Sequence, residues 1–233
     1  MNIINLLDYG YVKFIESWGS DESIIESARM STGKGFIGWG DSENPGDEKL
    51  LAFLYNNKHS TPFEMAGMVI EVKAPIFVFR EWHRHRTQSY NEMSARYIPL
   101  PNENYIPSIE RLMTGANTAT TNKQAQGNGK ILTEEEAIKW QNKLKSCYSN
   151  CQTIYESGIE TGIPKEIARL SVPVARYSVM RAQANLRNWI AFLTLRQALG
   201  AQWEIRQYAN AVSQLMEQNF PRTWNLYSMG KNS

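Results

Sequence analysis

Pro75 separates two stretches of different period, and that break limits the fold of this chain more than any other feature. Before it, MAGMVIEVK (65–73) alternates well enough for a β-strand. After it, the period of IFVFREWHRHR is not decisive between helix and strand. A proline is well placed to open a helix, because its missing N–H is not needed in the first turn, and this tips the segment toward helix. Further on, VARYSVMRAQANL (174–186) reads as a strand. From Arg187 the pattern turns helical, with Leu186, Trp189, Ile190 and Leu193 spaced i, i+3, i+4, i+7.

The other segments follow local signals. DESIIESARM (21–30) opens with an acidic cap-like residue, Asp21, and carries Ile24, Ile25 and Ala28 at helical spacing. STGKGFIGWGDSENPGDE (31–48) reads as a loop, and 47–57 as a helix with Leu50, Leu51 and Leu54 on one side. Pro62 marks a break in KHSTPFEM. The stretch 114–132 is small, polar and aperiodic, a surface insertion. Thr133 followed by three glutamates starts a helix running to about Ser157. KEIARL is a short helix, and a further one follows Gly200 with a stripe from Ile205 to Met216. Residues 1–233 are expected to form one α+β domain, with a central, mostly antiparallel sheet packed by helices.

The formal net charge of +2 argues against bulk electrostatic binding of nucleic acid. The N-terminus lacks the pattern of a signal peptide, and no apolar run is long enough for a membrane span. The expected setting is cytoplasmic, with Cys147 and Cys151 reduced and used for packing.

The densest chemistry lies in RHRTQSYNEMSARY, Arg84 to Tyr97. The chain's three histidines, His59, His83 and His85, could be imagined on zinc, but Arg84 and Arg86 flank His85 and disfavour a dication. No metal is expected. Neither a G-x-S-x-G nor a G-x-G-x-x-G motif is present. Anion recognition remains, since arginine suits bidentate contacts to phosphate. The residues alone leave two readings open: a structural ion-pair network, or a phosphate-ligand site with Glu92 accepting from a ligand N–H.

Arg84-His85-Arg86, seven residues, then Ser94 resembles the R-H-R-x7-S signature of the flavin-dependent thymidylate synthases. HSTPFE (59–64), EIAR (166–169), NLR (185–187), Leu195-Arg196 and AQWEIRQYA (201–209) are similar to that family's segments, in the same order. The resemblance implies reductive methylation of dUMP to dTMP without a cysteine nucleophile. It implies 5,10-methylenetetrahydrofolate as carbon donor, NADPH as reductant, bound FAD, and a homotetramer with shared active sites. By position it assigns His59, Thr61, Glu64, Arg84, His85, Arg86, Glu92, Asn185 and Arg187 to the flavin. It assigns Glu81, Trp82, His83, Arg84, Glu92, Met93, Ser94, Ala95, Arg96, Arg169 and Arg196 to dUMP. Arg196, Ser94 and His59 are its catalytic candidates, with Arg196 favouring ionisation at N3 of the uracil. Alternative readings are a member of the family that binds without turnover, or a nucleic-acid module built on the arginine cluster.

Three positions depart from the family pattern. Glu81 stands where glutamine is common, and pairing with Arg80 or Arg84 is one expectation for it. Ala191 stands where a polar flavin contact is frequent, and Gly200 where a histidine is common. Separately, Arg187 and Arg196 are nine residues apart, so on one straight helix they face roughly opposite sides. They are expected to serve different ligands, flavin for Arg187 and nucleotide for Arg196.

Overall fold

The computed structural model describes residues 3–41, 43–114 and 131–230. Residues 115–130, most of the 114–132 insertion, lie outside the described residues; Thr114 itself closes a short helix.

The chain opens with a hairpin that the sequence reading had not identified, β1 (Ile3–Leu6) and β2 (Gly10–Trp18). Its turn carries Leu7 at φ 54°. Gly10 is required by close approach, since a Cβ there would lie 2.1 Å from the Tyr208 hydroxyl. Helix α1 (Asp21–Arg29) follows, capped by Ser20 rather than Asp21. The Asp21 carboxylate is buried instead. It accepts from Arg222 N at 2.9 Å, Thr223 N at 3.2 Å and Thr223 Oγ1 at 2.6 Å, which ties the first helix to the end of the chain.

Helix α2 (Gly46–Asn56) leads to a 3-10 turn at Thr61–Glu64 and then to β3 (Gly67–Pro75). Pro75 does stop the strand and start helix α3, but α3 covers only Ile76–Trp82. Residues 83–88 are turns, so the helix over IFVFREWHRHR ends four residues earlier than the sequence suggests. The chain returns as β4 (Ser89–Glu92), a strand not anticipated from its polar residues.

Helices α4 (Ile109–Thr114), α5 (Glu134–Glu160) and α6 (Lys165–Ala168) come next, α5 opening with a Thr133–Glu136 capping box. The second strand-to-helix junction joins β5 (Tyr177–Asn185) to α7 (Leu186–Arg196), and here Asn185 caps the helix by accepting from Asn188 N at 3.0 Å. The strand starts three residues later than the period suggested, because Arg176 is used for buried contacts. Its guanidinium donates to Asn104 Oδ1 (3.0 Å), Pro101 O (2.8 Å) and Gln152 Oε1 (2.7 Å). Helices α8 (Trp203–Asn219) and α9 (Pro221–Met229) end the chain.

The five strands form one antiparallel sheet in the order β1-β2-β3-β5-β4. The α+β expectation with an antiparallel sheet therefore holds. One sheet face is packed by Val12, Met68, Ile70, Val72, Met180 and Ala182 against helices, while Glu71 and Arg181 lie on the other. Trp82 of α3 interlocks with Trp189 and Phe192 of α7, ring centroids 6.5 and 4.5 Å apart. Each such aromatic stabilises the fold by roughly 1.5–3 kcal/mol through burial. Together they pin the end of α3 beside α7. Among the described residues no helix is long and apolar enough to cross a membrane.

Candidate functional site

The R-H-R tripeptide sits where α3 ends and β4 begins, on a turn stitched from within. Trp82 Nε1 donates to Gln88 Oε1 at 3.0 Å, and the Tyr90 hydroxyl donates to the His85 carbonyl at 2.8 Å. Tyr90 points to the core because it lies opposite buried Ala182 on the sheet. The turn splits its side chains: His85 is half-buried, and Arg84 and Arg86 are exposed. No ion pair of either arginine is seen among the described residues, so both present their charge to solvent.

Arg196, from the last turn of α7, reaches this turn. Its Nε donates to His85 Nε2 at 2.8 Å, one terminal nitrogen to Glu81 Oε2 at 2.7 Å, and the other to the Glu81 carbonyl at 2.7 Å. Glu81 thus pairs with Arg196, not with Arg80 or Arg84: the packing of Trp82, at the end of α3, on Trp189 and Phe192 of α7 brings Arg196 to it, 115 residues away in sequence. His85 rests edge-on against Phe192, centroids 4.9 Å apart. Burial first, then the Arg196 charge, push its pKa down to about 4, against an opposing pull from Glu81. The imidazole is therefore neutral near pH 7, and since Nε2 accepts, its proton is on Nδ1.

The three histidines do different things. His83 packs on Phe79 and Tyr90 with a buried Nε2 that has no partner among the described residues. His59 meets Phe53 edge-on. Among the described residues no group of three or more metal-ligating side chains is found.

Beyond β4 the chain stays close to β5, with Met93 N donating to the Val179 carbonyl at 2.8 Å. Glu92 is exposed at the strand end and Ala95 is buried. The Ser94 carbonyl accepts from Tyr97 N and Ile98 N, while its Oγ accepts from Arg96 N at 3.3 Å. Arg96 Nε donates to Glu166 Oε2 at 3.0 Å, and Arg169 Nε to the Glu166 carbonyl at 3.3 Å. Two of the expected nucleotide residues, Arg96 and Arg169, are thereby gathered around Glu166. That residue was not among the expected site residues, although it opens the EIAR segment.

At the other end of α7, Arg187 forms an ion pair with Glu64. Beside them is a cavity of about 310 Å³, lined by Leu54, Tyr55, Lys58, His59, Ser60, Phe63, Arg187 and Ile190. Tyr55, Lys58 and Ile190 were not among the expected site residues; the period of α7 marked Ile190 only as part of an apolar stripe. Thr61 lies in the neighbouring 3-10 turn, and Ala191 is exposed on α7. Arg187 and Arg196 pair with different carboxylates, Glu64 and Glu81, and lie about 14 Å apart along the helix axis at 1.5 Å per residue. Gly200 lies in the connection between α7 and α8.

A model of the family described as thymidylate synthase complementing protein matches residues 13–222. The chain belongs to that family. Proteins named flavin-dependent thymidylate synthase are similar to it across most of its length. The Thermus thermophilus one is 38% identical over 221 residues, covering 95% of this chain and 76% of that protein. The Pseudothermotoga lettingae one is 34% identical over 224 residues, covering 96% and 92%. Among solved structures, a UMP/dUMP methylase, PolB, from Streptomyces cacaoi bound with 5-Br dUMP superposes with a TM-score of 0.81. It is 28% identical and 97% of each chain is covered.

Proposed function

We propose that this chain is a flavin-dependent thymidylate synthase that converts dUMP to dTMP. The observation that carries this reading is the three-point seat of Arg196 on His85 and Glu81, in a member of this family. It joins the R-H-R turn to the end of α7 and holds one guanidinium rigidly beside the exposed cations of the signature.

The residues fit a flavin. The cavity beside Arg187 has apolar walls from Leu54, Phe63 and Ile190, suited to an aromatic ring system, with Lys58 and Arg187 at hand for anionic groups. Its size is at the low end of the range for small-molecule sites, enough for part of a dinucleotide. His59 and Arg187 line this cavity; Thr61, Glu64, Asn185 and Ala191 would flank the flavin here, and Arg84, His85, Arg86 and Glu92 would meet its far end. When bound, FAD reduced by NADPH would supply the hydride, and methylenetetrahydrofolate the carbon.

The chain's own part is binding and electrostatics. Arg84, Arg96 and Arg169 would offer exposed guanidinium groups to the phosphate of dUMP, with His83, Glu92, Met93 and Ser94 as further candidate contacts, while buried Trp82 and Ala95 would take part only through their backbone. Arg196, pre-positioned, would stabilise negative charge at N3 of the uracil and so activate C5 toward the folate carbon. Neutral His85 would offer Nδ1–H as a hydrogen-bond donor. No nucleophilic thiol is needed, and exposed Cys147 and partly buried Cys151 lie on α5. Shared sites in a homotetramer suit the exposed apolar side chains Leu170 (79% exposed) and Leu199 (86%). A cytoplasmic setting goes with this chemistry.

The test is an anaerobic visible spectrum with dUMP and NADPH, followed by an assay for dTMP on adding methylenetetrahydrofolate. A flavin band that bleaches and dTMP that forms is the expected result. A chain that takes up no FAD overturns it.

A further inference from the structure

The three acceptors that seat Arg196 differ in kind. Two are neutral and fixed: His85 Nε2, and the carbonyl of Glu81. That carbonyl lies in the last turn of α3, where a helix leaves its C=O groups without a partner of its own. The third is the Glu81 carboxylate, on a flexible stem. Its side chain is 44% exposed, whereas that of Arg196 is 15% exposed. Among the described residues Glu81 makes no other ion pair. The seat therefore persists without the carboxylate, and what the carboxylate alone adds is negative charge on the solvent side of the guanidinium.

We propose that Glu81 is an internal counter-ion of the nucleotide site. Its carboxylate holds Arg196 in the ligand-free chain and swings out when an anionic pyrimidine nucleotide enters, so Glu81 weakens nucleotide binding. This rests on the reading of the site as a dUMP site. A carboxylate left beside the ligand would repel both its phosphate and a developing ring anion, and moving it out requires breaking its bond to Arg196. The cost is small, because a half-exposed ion pair is screened by water.

Titration calorimetry of dUMP into the full chain and into Glu81→Gln tests this. The glutamine is isosteric and uncharged; Glu81→Ala serves if it folds poorly. The dissociation constant should fall roughly two- to fivefold, the range an exposed ion pair can supply. A merely structural contact would act the other way, lowering the melting temperature and leaving dUMP binding equal or weaker. If the unsubstituted chain binds dUMP and the variant binds it no tighter, the counter-ion inference is overturned while the dUMP site stands. If the unsubstituted chain binds no dUMP, the site reading falls, and this inference with it.

Discussion

Arg196 Nε and His85 Nε2 are 2.8 Å apart, and the imidazole that accepts this bond is kept neutral by its burial first and by the Arg196 charge second. A protonated His85 would place two cations in contact inside a half-buried turn. Burial and Arg196 hold its pKa down to about 4, below the usual value near 6.5 for an unfolded chain. In the interval between those values the unfolded chain binds the proton more readily. Stability from this group is thus present above about pH 6.5 and lost as pH falls toward 4. Allowing for solvent screening, the loss is about 1–2 kcal/mol. Denaturant unfolding from pH 7 to 4.5 should show that much less acid sensitivity in His85→Gln.

Arg196→Lys keeps a positive charge but cannot reach His85, the Glu81 carbonyl and the Glu81 carboxylate in one plane. Turnover to dTMP should drop about a hundredfold or more, as when a pre-positioned donor to developing charge is lost. Steady-state kinetics at saturating dUMP checks this.

Arg187 is more than half exposed, and its pair with Glu64 contributes little to folding. Arg187→Ala should leave the melting temperature within a few degrees. It should weaken FAD uptake about tenfold, the loss of one charge-assisted contact. Fluorescence titration of the flavin-free chain measures it.

Asp21 is a fold element alone. Three donors from the start of α9 converge on its buried carboxylate, so Asp21→Ala strands them. The loss should be about 2–4 kcal/mol in urea unfolding with an unchanged denaturant slope.

Local chemistry was readable from the residues, and long-range pairing was not. The Thr133 cap and the Pro75 break act within one turn of chain, so both are visible in sequence. The β1–β2 hairpin turns through Leu7 with positive φ, a conformation that a leucine does not advertise. β4 is only four residues long, and polar except at Tyr90, so it carries almost no strand signal. In the site, the order of motifs pointed to the turn and the helix that Arg196 joins. The Glu81–Arg196 pair was hidden because the two meet only once Trp82 at the end of α3 packs on α7. Glu166 was overlooked because its role depends on α6 bringing it to Arg96.

The short edge strand gives the signature's spacing a physical meaning. Ser89, Tyr90, Asn91 and Glu92 lie opposite Gln183, Ala182, Arg181 and Met180. The seven residues between Arg86 and Ser94 thus act as a ruler: a turn, then four rungs of a ladder. Deleting or inserting one residue would rotate every following side chain to the opposite face. Tyr90 would leave the core, the turn would lose its inner fastening, and Ser94 would be presented backwards. The signature is a measured length of backbone as much as a set of side chains.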